Sequence, residues 1–344
     1  MPASLRTPLC DSLGIEVPLL CAGMGSLAGP ELAAAVSEAG GLGVLGISGA
    51  SAETVRERLR LARELTDRPV GVNVIIELDE EDSLDVLSDQ IRLAVEEGAA
   101  ALVLFWGDPV PFVKVARATG PAKVLMQIGS VPEAEAAAEA GVDALVAQGL
   151  EAGGHVRGTT SIWELVPAVV AAVAPLPVLA SGGIGDGAGL ARALDLGAQG
   201  VSLGTLFAAS EESGAHPAYK RRLVESTAED TVYTDDLYDV WWPNAPHRTL
   251  RNRNFDEWEA AGRPSPGSRP GDGTSIGLMR LPTGETYEWP RYAIGSPLTG
   301  FEGEIDYAPM WAGESVSFVK EIKPAGEIVR ELARDAAAQI RGSG

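Results

Sequence analysis

Cysteine is nearly absent: Cys10 and Cys21 are the only two in 344 residues. Two cysteines make no disulfide framework, and they read as small buried residues of a protein kept in a reducing compartment. Histidine is almost as scarce, with His155, His216 and His247. No CxxC or HExxH spacing accompanies them, so no metal site is expected. Positive charge is also in short supply. Twenty-seven basic residues face 48 acidic ones, a net charge of −21, which argues against a nucleic-acid binder. No apolar run approaches the roughly 20 residues of a membrane span. The opening MPASLRTPLCDSLG lacks a basic stretch followed by an apolar core, so no signal peptide is expected and the cytoplasm is the expected location. No GxGxxG follows a strand and opens a helix, so nothing points to a dinucleotide-binding Rossmann unit.

What the chain has is glycine, 41 residues of it, and a 45% hydrophobic composition. Over the first 225 residues two patterns alternate. Short apolar runs stand at 17–22, 43–47, 70–75, 101–105, 123–128, 143–148, 177–181 and 200–204. Between them lie amphipathic stretches starting near Pro30, Ala52, Ser83, Pro109, Val131, Ser161 and Asp186. Short runs without alternation, separated by helices, read as parallel strands buried on both faces. Eight evenly spaced strands predict a (β/α)8 TIM barrel, with a doubly wound open sheet as the rival.

After Ser226 the pattern breaks. Residues 227–305 hold most of the tryptophan and little helical periodicity, and 261–277 is loop-like, with an expendable tip. The expected organisation is a barrel of 1–226 plus 306–344, with 227–305 inserted after the last strand as a substrate-covering domain. Helical signal returns at 313–322 and 327–340.

A TIM barrel carries its site at the C-terminal ends of the strands. SGGIGDG (181–187) follows the seventh strand and SLGTLF (202–207) the eighth. Their backbone N–H groups suit a phosphate, and neither needs a lysine or arginine. The sixth strand ends in QGLEAGGHVRG (148–158), which places His155 in a glycine-flanked loop. An imidazole titrating near neutrality there suits proton transfer or the stabilisation of an anion. Glu151 reads as a loop or helix cap, His216 as a surface residue, and His247, Trp241, Trp242 and Trp311 as candidate walls of the cavity.

These stretches carry a resemblance. AGMGSLAGPELAAAVSEAGGLGVLG, QGLEAGGH, ASGGI, SLGTLF and MWAGESVSFVKEI together resemble the nitronate monooxygenases, once called 2-nitropropane dioxygenases. The resemblance implies a TIM barrel with a smaller inserted domain and non-covalent FMN. It implies oxidation of alkyl nitronates by O2 to carbonyl compounds and nitrite or nitrate, with nitroalkanes as related substrates and a homodimer allowed. Carried over, His155 is the catalytic residue. Asn73 and Gln148 should bond the flavin ring, with Gly153 in backbone contact, Met24 near the ring edge and Gln127 near the ring. Gly182, Gly183, Ser202, Leu203, Gly204 and Thr205 should hold the phosphate. Family members carry a proline before the methionine of the first loop, where this chain has Gly23. The flavin-dependent enoyl-acyl-carrier-protein reductases, which draw hydride from NAD(P)H, share the histidine loop and phosphate site and are the alternative.

Overall fold

The fold is described from a computed structural model over residues 5–77, 82–280 and 284–342. The first four residues of the segment read for a leader lie outside that range. All eight expected runs become strands, three with the expected bounds and five trimmed at an end. They are β1 (Leu19–Cys21), β2 (Gly43–Gly46), β3 (Val70–Ile75), β4 (Ala101–Phe105), β5 (Lys123–Ile128) and β6 (Ala144–Gln148), and, beyond a two-residue strand β7 (Gly154–His155) outside this sheet, β8 (Val178–Ser181) and β9 (Gly200–Leu203). The eight pair in parallel in the order β1-β9-β8-β6-β5-β4-β3-β2. Leu19 sits opposite Val201, and Leu20 bridges Leu42 beside β2. The sheet therefore curls shut into a (β/α)8 barrel, and the open-sheet rival falls.

Both faces of these strands are buried, which is why their sequences show no alternation. Leu20, Leu42, Val44, Val103, Leu125, Val146 and Leu179 fill the interior together with Leu9, Cys10 and Leu13. Those last three belong to helix Pro8–Leu13, which the sequence reading missed. Thr7 Oγ1 donates to the carbonyl of Gln199, just before β9. The helix thus plugs the N-terminal mouth and leaves the C-terminal mouth for chemistry. Cys10 and Cys21 are both buried, and burial pushes the Cys21 thiol well above its ordinary range. The outer helices start on side-chain caps. Ser51 accepts from Thr54 N, Ser130 from Glu133 N and Asp186 from Gly189 N.

The region read as irregular is ordered. β10 (Thr231–Thr234) pairs antiparallel with β11 (His247–Leu250), and β11 pairs with β7. β12 (Ser275–Arg280), β13 (Thr286–Pro290) and β14 (Phe301–Gly303) form a second antiparallel sheet. Helix Arg253–Ala260 starts on Asn252, which accepts from Phe255 N. The stretch read as an expendable tip is structural. The Arg269 side chain is 2% exposed and pairs with Asp239 and Asp272, while Tyr292 Oη donates to the carbonyl of Pro270.

The expected helix at 313–322 is also corrected. A 3-10 turn covers only Glu314–Phe318, because the backbone N–H groups here serve distant partners: Gly313 N donates to Thr205 Oγ1 and Glu314 N to the Glu151 carbonyl. Helix Ala325–Gly342 follows and packs on helices Gly187–Asp195 and Pro30–Glu38. No helix among the described residues is long and apolar enough to cross a membrane.

Candidate active site

The last two barrel strands end in a cradle without side chains. Gly182 and Gly183 have φ of +108° and +67°, a region that glycine occupies without strain. A Cβ on Gly183 would lie 3.0 Å from Glu151 Cβ. Across the cradle, Ser202 and Leu203 are buried, and Gly204 faces Met24 Sδ, 3.5 Å from where its Cβ would stand. Thr205 Oγ1 accepts from Gly313 N at 3.0 Å, which leaves its O–H free to turn toward an oxyanion. Both expected loops therefore meet at one end of the barrel, with the 313 turn closing behind them.

The first loop, where Gly23 stands in place of the family's proline, is tight. A Cβ on Gly23 would lie 2.1 Å from Asn73 Cβ, so Asn73 occupies the space and only glycine fits. Asn73 is 7% exposed, and its Nδ2 donates across the sheet to the Val103 carbonyl at 2.9 Å. Gln127 stands next to last on β5 and is half-buried.

β6 and the loop after it carry the remaining expected residues. Gln148 is 4% exposed and braces its own loop: Nε2 donates to the His155 carbonyl at 2.9 Å and Oε1 accepts from Arg157 N at 3.1 Å. Gly153 lies against Gly313, whose N would be 2.2 Å from an added Cβ. Glu151 is the cap expected of it, accepting from Ser161 Oγ at 2.5 Å and Ile162 N at 3.0 Å.

His155 is not in a free loop. It forms β7 and pairs with β11, directly opposite His247. Four rings surround its imidazole, with centroids at 4.2 Å for Trp242, 5.3 Å for Trp311, 5.9 Å for His247 and 6.4 Å for Trp106. Nε2 is buried and has no hydrogen-bond partner. Burial, followed by the proximity of His247, pushes its pKa down to about 3. The sequence expectation of an imidazole titrating near neutrality is thus corrected: no carboxylate among the described residues offsets the desolvation.

His247 is fully buried. Its Nδ1 lies 2.9 Å from the Ala245 carbonyl, and its Nε2 accepts from Tyr238 N at 3.3 Å. That pattern fixes a neutral Nδ1–H tautomer, and burial holds its pKa at about 4. Both nitrogens are engaged, so His247 shapes the site without offering a reactive edge.

The tryptophan pair divides. Trp242 joins the His155 box and donates from Nε1 to Glu77, whereas Trp241 is 58% exposed. Trp106 was missed. It follows β4 with φ of +62° and stands 5.0 Å from Trp242. A non-glycine residue held there costs on the order of 1–3 kcal/mol, and such strain clusters at functional sites. Its position at the C-terminal end of a barrel strand was the available signal. His216 caps helix Pro217–Glu225 by accepting from Ala218 N.

A closed (β/α)8 barrel with a glycine cradle at its last two strands, and a buried histidine on the loop after β6, defines a barrel enzyme with a place for a phosphorylated group at its C-terminal mouth. Comparison with known proteins names the family. The nitronate monooxygenase profile matches residues 6–335. A nitronate monooxygenase from Pseudomonas aeruginosa is 34% identical over 363 residues, covering 94% of this chain and 97% of the relative. A (3aS,4S,5R,7aS)-5-hydroxy-7a-methyl-1-oxo-octahydro-1H-indene-4-carboxyl-CoA dehydrogenase from Mycobacterium tuberculosis is 35% identical over 261 residues, 75% of this chain and 70% of the relative. The solved structure of FabK from Thermotoga maritima superposes with a TM-score of 0.78 at 30% identity and covers 98% of each chain. The chain belongs to the nitronate monooxygenase family. It is a flavin enzyme of the FMN-dependent kind, and the cradle fits that cofactor: a Cβ on Gly182 would lie 2.9 Å from Ala152 N, so the backbone there admits no side chain that would compete with a phosphate.

Proposed function

We propose that this enzyme oxidises alkyl nitronates to carbonyl compounds and nitrite or nitrate, with O2 as the terminal acceptor. The observation that carries the reading is the buried, unpartnered Nε2 of His155 inside a ring of three tryptophans. FMN, when bound, supplies the electron-accepting chemistry. Gly182, Gly183, Ser202, Leu203, Gly204 and Thr205 would hold its phosphate, while Met24, Asn73, Gln127, Gln148 and Gly153 would line the ring. The unit at 227–305 covers the substrate through Trp242 and His247.

A neutral imidazole carries one N–H and one lone pair. Toward a nitronate, Nε2–H donates to a nitro oxygen and holds the anion in place. Toward a neutral nitroalkane, Nε2 would have to take the α-proton and become a buried imidazolium, which the surrounding rings penalise. Preformed nitronate is therefore the better substrate.

The donor separates this reading from the NAD(P)H-dependent reductase. Anaerobic mixing with ethyl or propyl nitronate should bleach the flavin within the mixing time, and NADPH should do so slowly or not at all. The rings packed around His155 suit a small anion. Rapid stoichiometric reduction by NADPH, with no response to nitronate, would promote the reductase. The reading also places the enzyme in the reducing cytoplasm, acting on small molecules and not on nucleic acid or membranes, with a homodimer allowed.

The two buried imidazoles set an acid limit on stability. Folded His155 and His247 have pKa values of about 3 and 4, against about 6.5 for a histidine in the unfolded chain. Between those values the unfolded state binds more protons, so stability rises with pH through this window and falls as pH drops below about 6.5. The slope reaches about 1.4 kcal/mol per pH unit for each histidine. Thermal melting at pH 7 and at pH 5 reads it, and His155→Ala should flatten the dependence. A pH-independent Tm over that interval would contradict the buried, neutral state.

A further inference from the structure

We propose that Arg248 is a positioning residue for His155, a staple that fixes the glycine-rich loop between β6 and β7 and so holds the imidazole in its box. This rests on His155 being the catalytic residue. Arg248 lies on β11 directly opposite Gly154, and its side chain is 10% exposed. Nε and Nη2 both donate to the Leu150 carbonyl, at 3.3 and 3.0 Å. Nη1 donates to Thr231 Oγ1 on β10 at 3.1 Å. The nearest carboxylate oxygen, on Glu314, is 3.5 Å from Nη2. Two of the guanidinium's donors thus converge on one carbonyl of the His155 loop.

Gly149, Gly153 and Gly154 offer the loop no side chains to anchor it, and Gly154 stands at φ +73°. Glu151 ties its middle to Ser161 Oγ and Ile162 N, and Arg248 adds a tie from the inserted segment. Gln148 holds the loop where it reaches His155, through the His155 carbonyl. Arg248 holds its start at Leu150, and Val156 N, donating to the Pro246 carbonyl at 2.8 Å, holds its exit. Planar donors pointing along two edges suit this better than a lysine, which offers a single point of charge. The inserted segment therefore builds the reactive centre and does not merely cover it.

The test is a double-mutant cycle in the FMN-loaded enzyme, with Arg248→Met, Arg248→Lys, His155→Ala and the double variant Arg248→Met/His155→Ala. Misplacing a catalytic group by about 1 Å costs on the order of 100-fold. Arg248→Met should lower kcat tenfold or more at unchanged flavin content and nearly unchanged KM, and Arg248→Lys should fall between it and the wild type. In the His155→Ala background, Arg248→Met should cause no further loss, because it acts through a group already removed.

A second readout is independent of turnover. Only three histidines contribute C2–H lines to the NMR spectrum, and the His155 line is identified by its loss in His155→Ala. Ring currents of the tryptophans displace it, and Arg248→Met should return it toward the ordinary position. Losses that multiply in the double variant, or an unchanged kcat with an unmoved line, overturn the staple. If Arg248→Met does not fold by circular dichroism, Arg248→Lys decides: a lowered kcat with a moved line supports the staple, and both unchanged overturn it. Turnover retained in His155→Ala would instead remove the catalytic role of His155, a failure distinguishable from that of the staple.

Discussion

His155→Ala should abolish nitronate oxidation while the protein still purifies yellow. A loss of 10²- to 10⁴-fold in kcat/KM is expected, the usual range for a positioned proton-transfer or hydrogen-bonding group, equivalent to about 3–5 kcal/mol of transition-state stabilisation. The flavin should stay because His155 is not part of the phosphate cradle. It sits on β7, held by Gln148 and β11, whereas the cradle is built from the ends of β8 and β9 and closed by Gly313. The fold should survive as well. The imidazole Nε2 has no partner to lose, and Trp242 and Trp311 can relax into the space. With a folded-state pKa of about 3, the wild-type rate on nitronate should show no histidine inflection between pH 6 and 8. The His155→Ala profile should be parallel and lower. A drop smaller than tenfold, or a wild-type inflection near pH 6.5 that vanishes in the variant, would show that the imidazole is not the neutral donor described above.

The barrel was legible in the chain because of how it is buried. Runs such as ALVLF (101–105) and VGVNVI (70–75) are covered on both faces, and a strand of that kind needs no partner information to be recognised. The cradle was legible for a similar reason, since glycine pairs at strand ends are local features. Helix Pro8–Leu13 was not, because six residues carry too little periodicity to register. The inserted strands escaped because their pairing is long-range: nothing local in HRTL (247–250) says that His247 will face His155 across a ladder. The same holds for the 313 turn, where Gly313 N and Glu314 N are taken by Thr205 and Glu151. The charge state of His155 was misread for a physical reason. Glycines flanking it suggest exposure, and the tryptophans that desolvate it arrive from just after β4, from 242 and from 311.

Gly183→Asp should strip the flavin. Gly183 adopts φ +67°, a conformation that aspartate and asparagine tolerate better than other side chains, so the variant has a route to folding. Its Cβ would stand 3.0 Å from Glu151 Cβ, and Glu151 cannot retreat, because its carboxylate caps the helix beginning at Ile162 through Ser161 Oγ and Ile162 N. The new carboxylate would therefore lie beside a fixed carboxylate and in the cradle meant for a phosphate dianion. Like charges brought together out of water cost several kcal/mol, and about 2.7 kcal/mol already corresponds to 100-fold in affinity. FMN binding to apoprotein should weaken by at least about 100-fold, read as flavin absorbance per protein after gel filtration and as fluorescence quenching on titration. Gly183→Asn separates charge from shape: it carries the same branched side chain without the charge and should retain more flavin than Gly183→Asp. Circular dichroism confirms that both are folded. Full FMN occupancy in folded Gly183→Asp would place the phosphate elsewhere. Equal losses in the two variants would mean that the missing side chain at 183, and not the electrostatics, is what the phosphate requires.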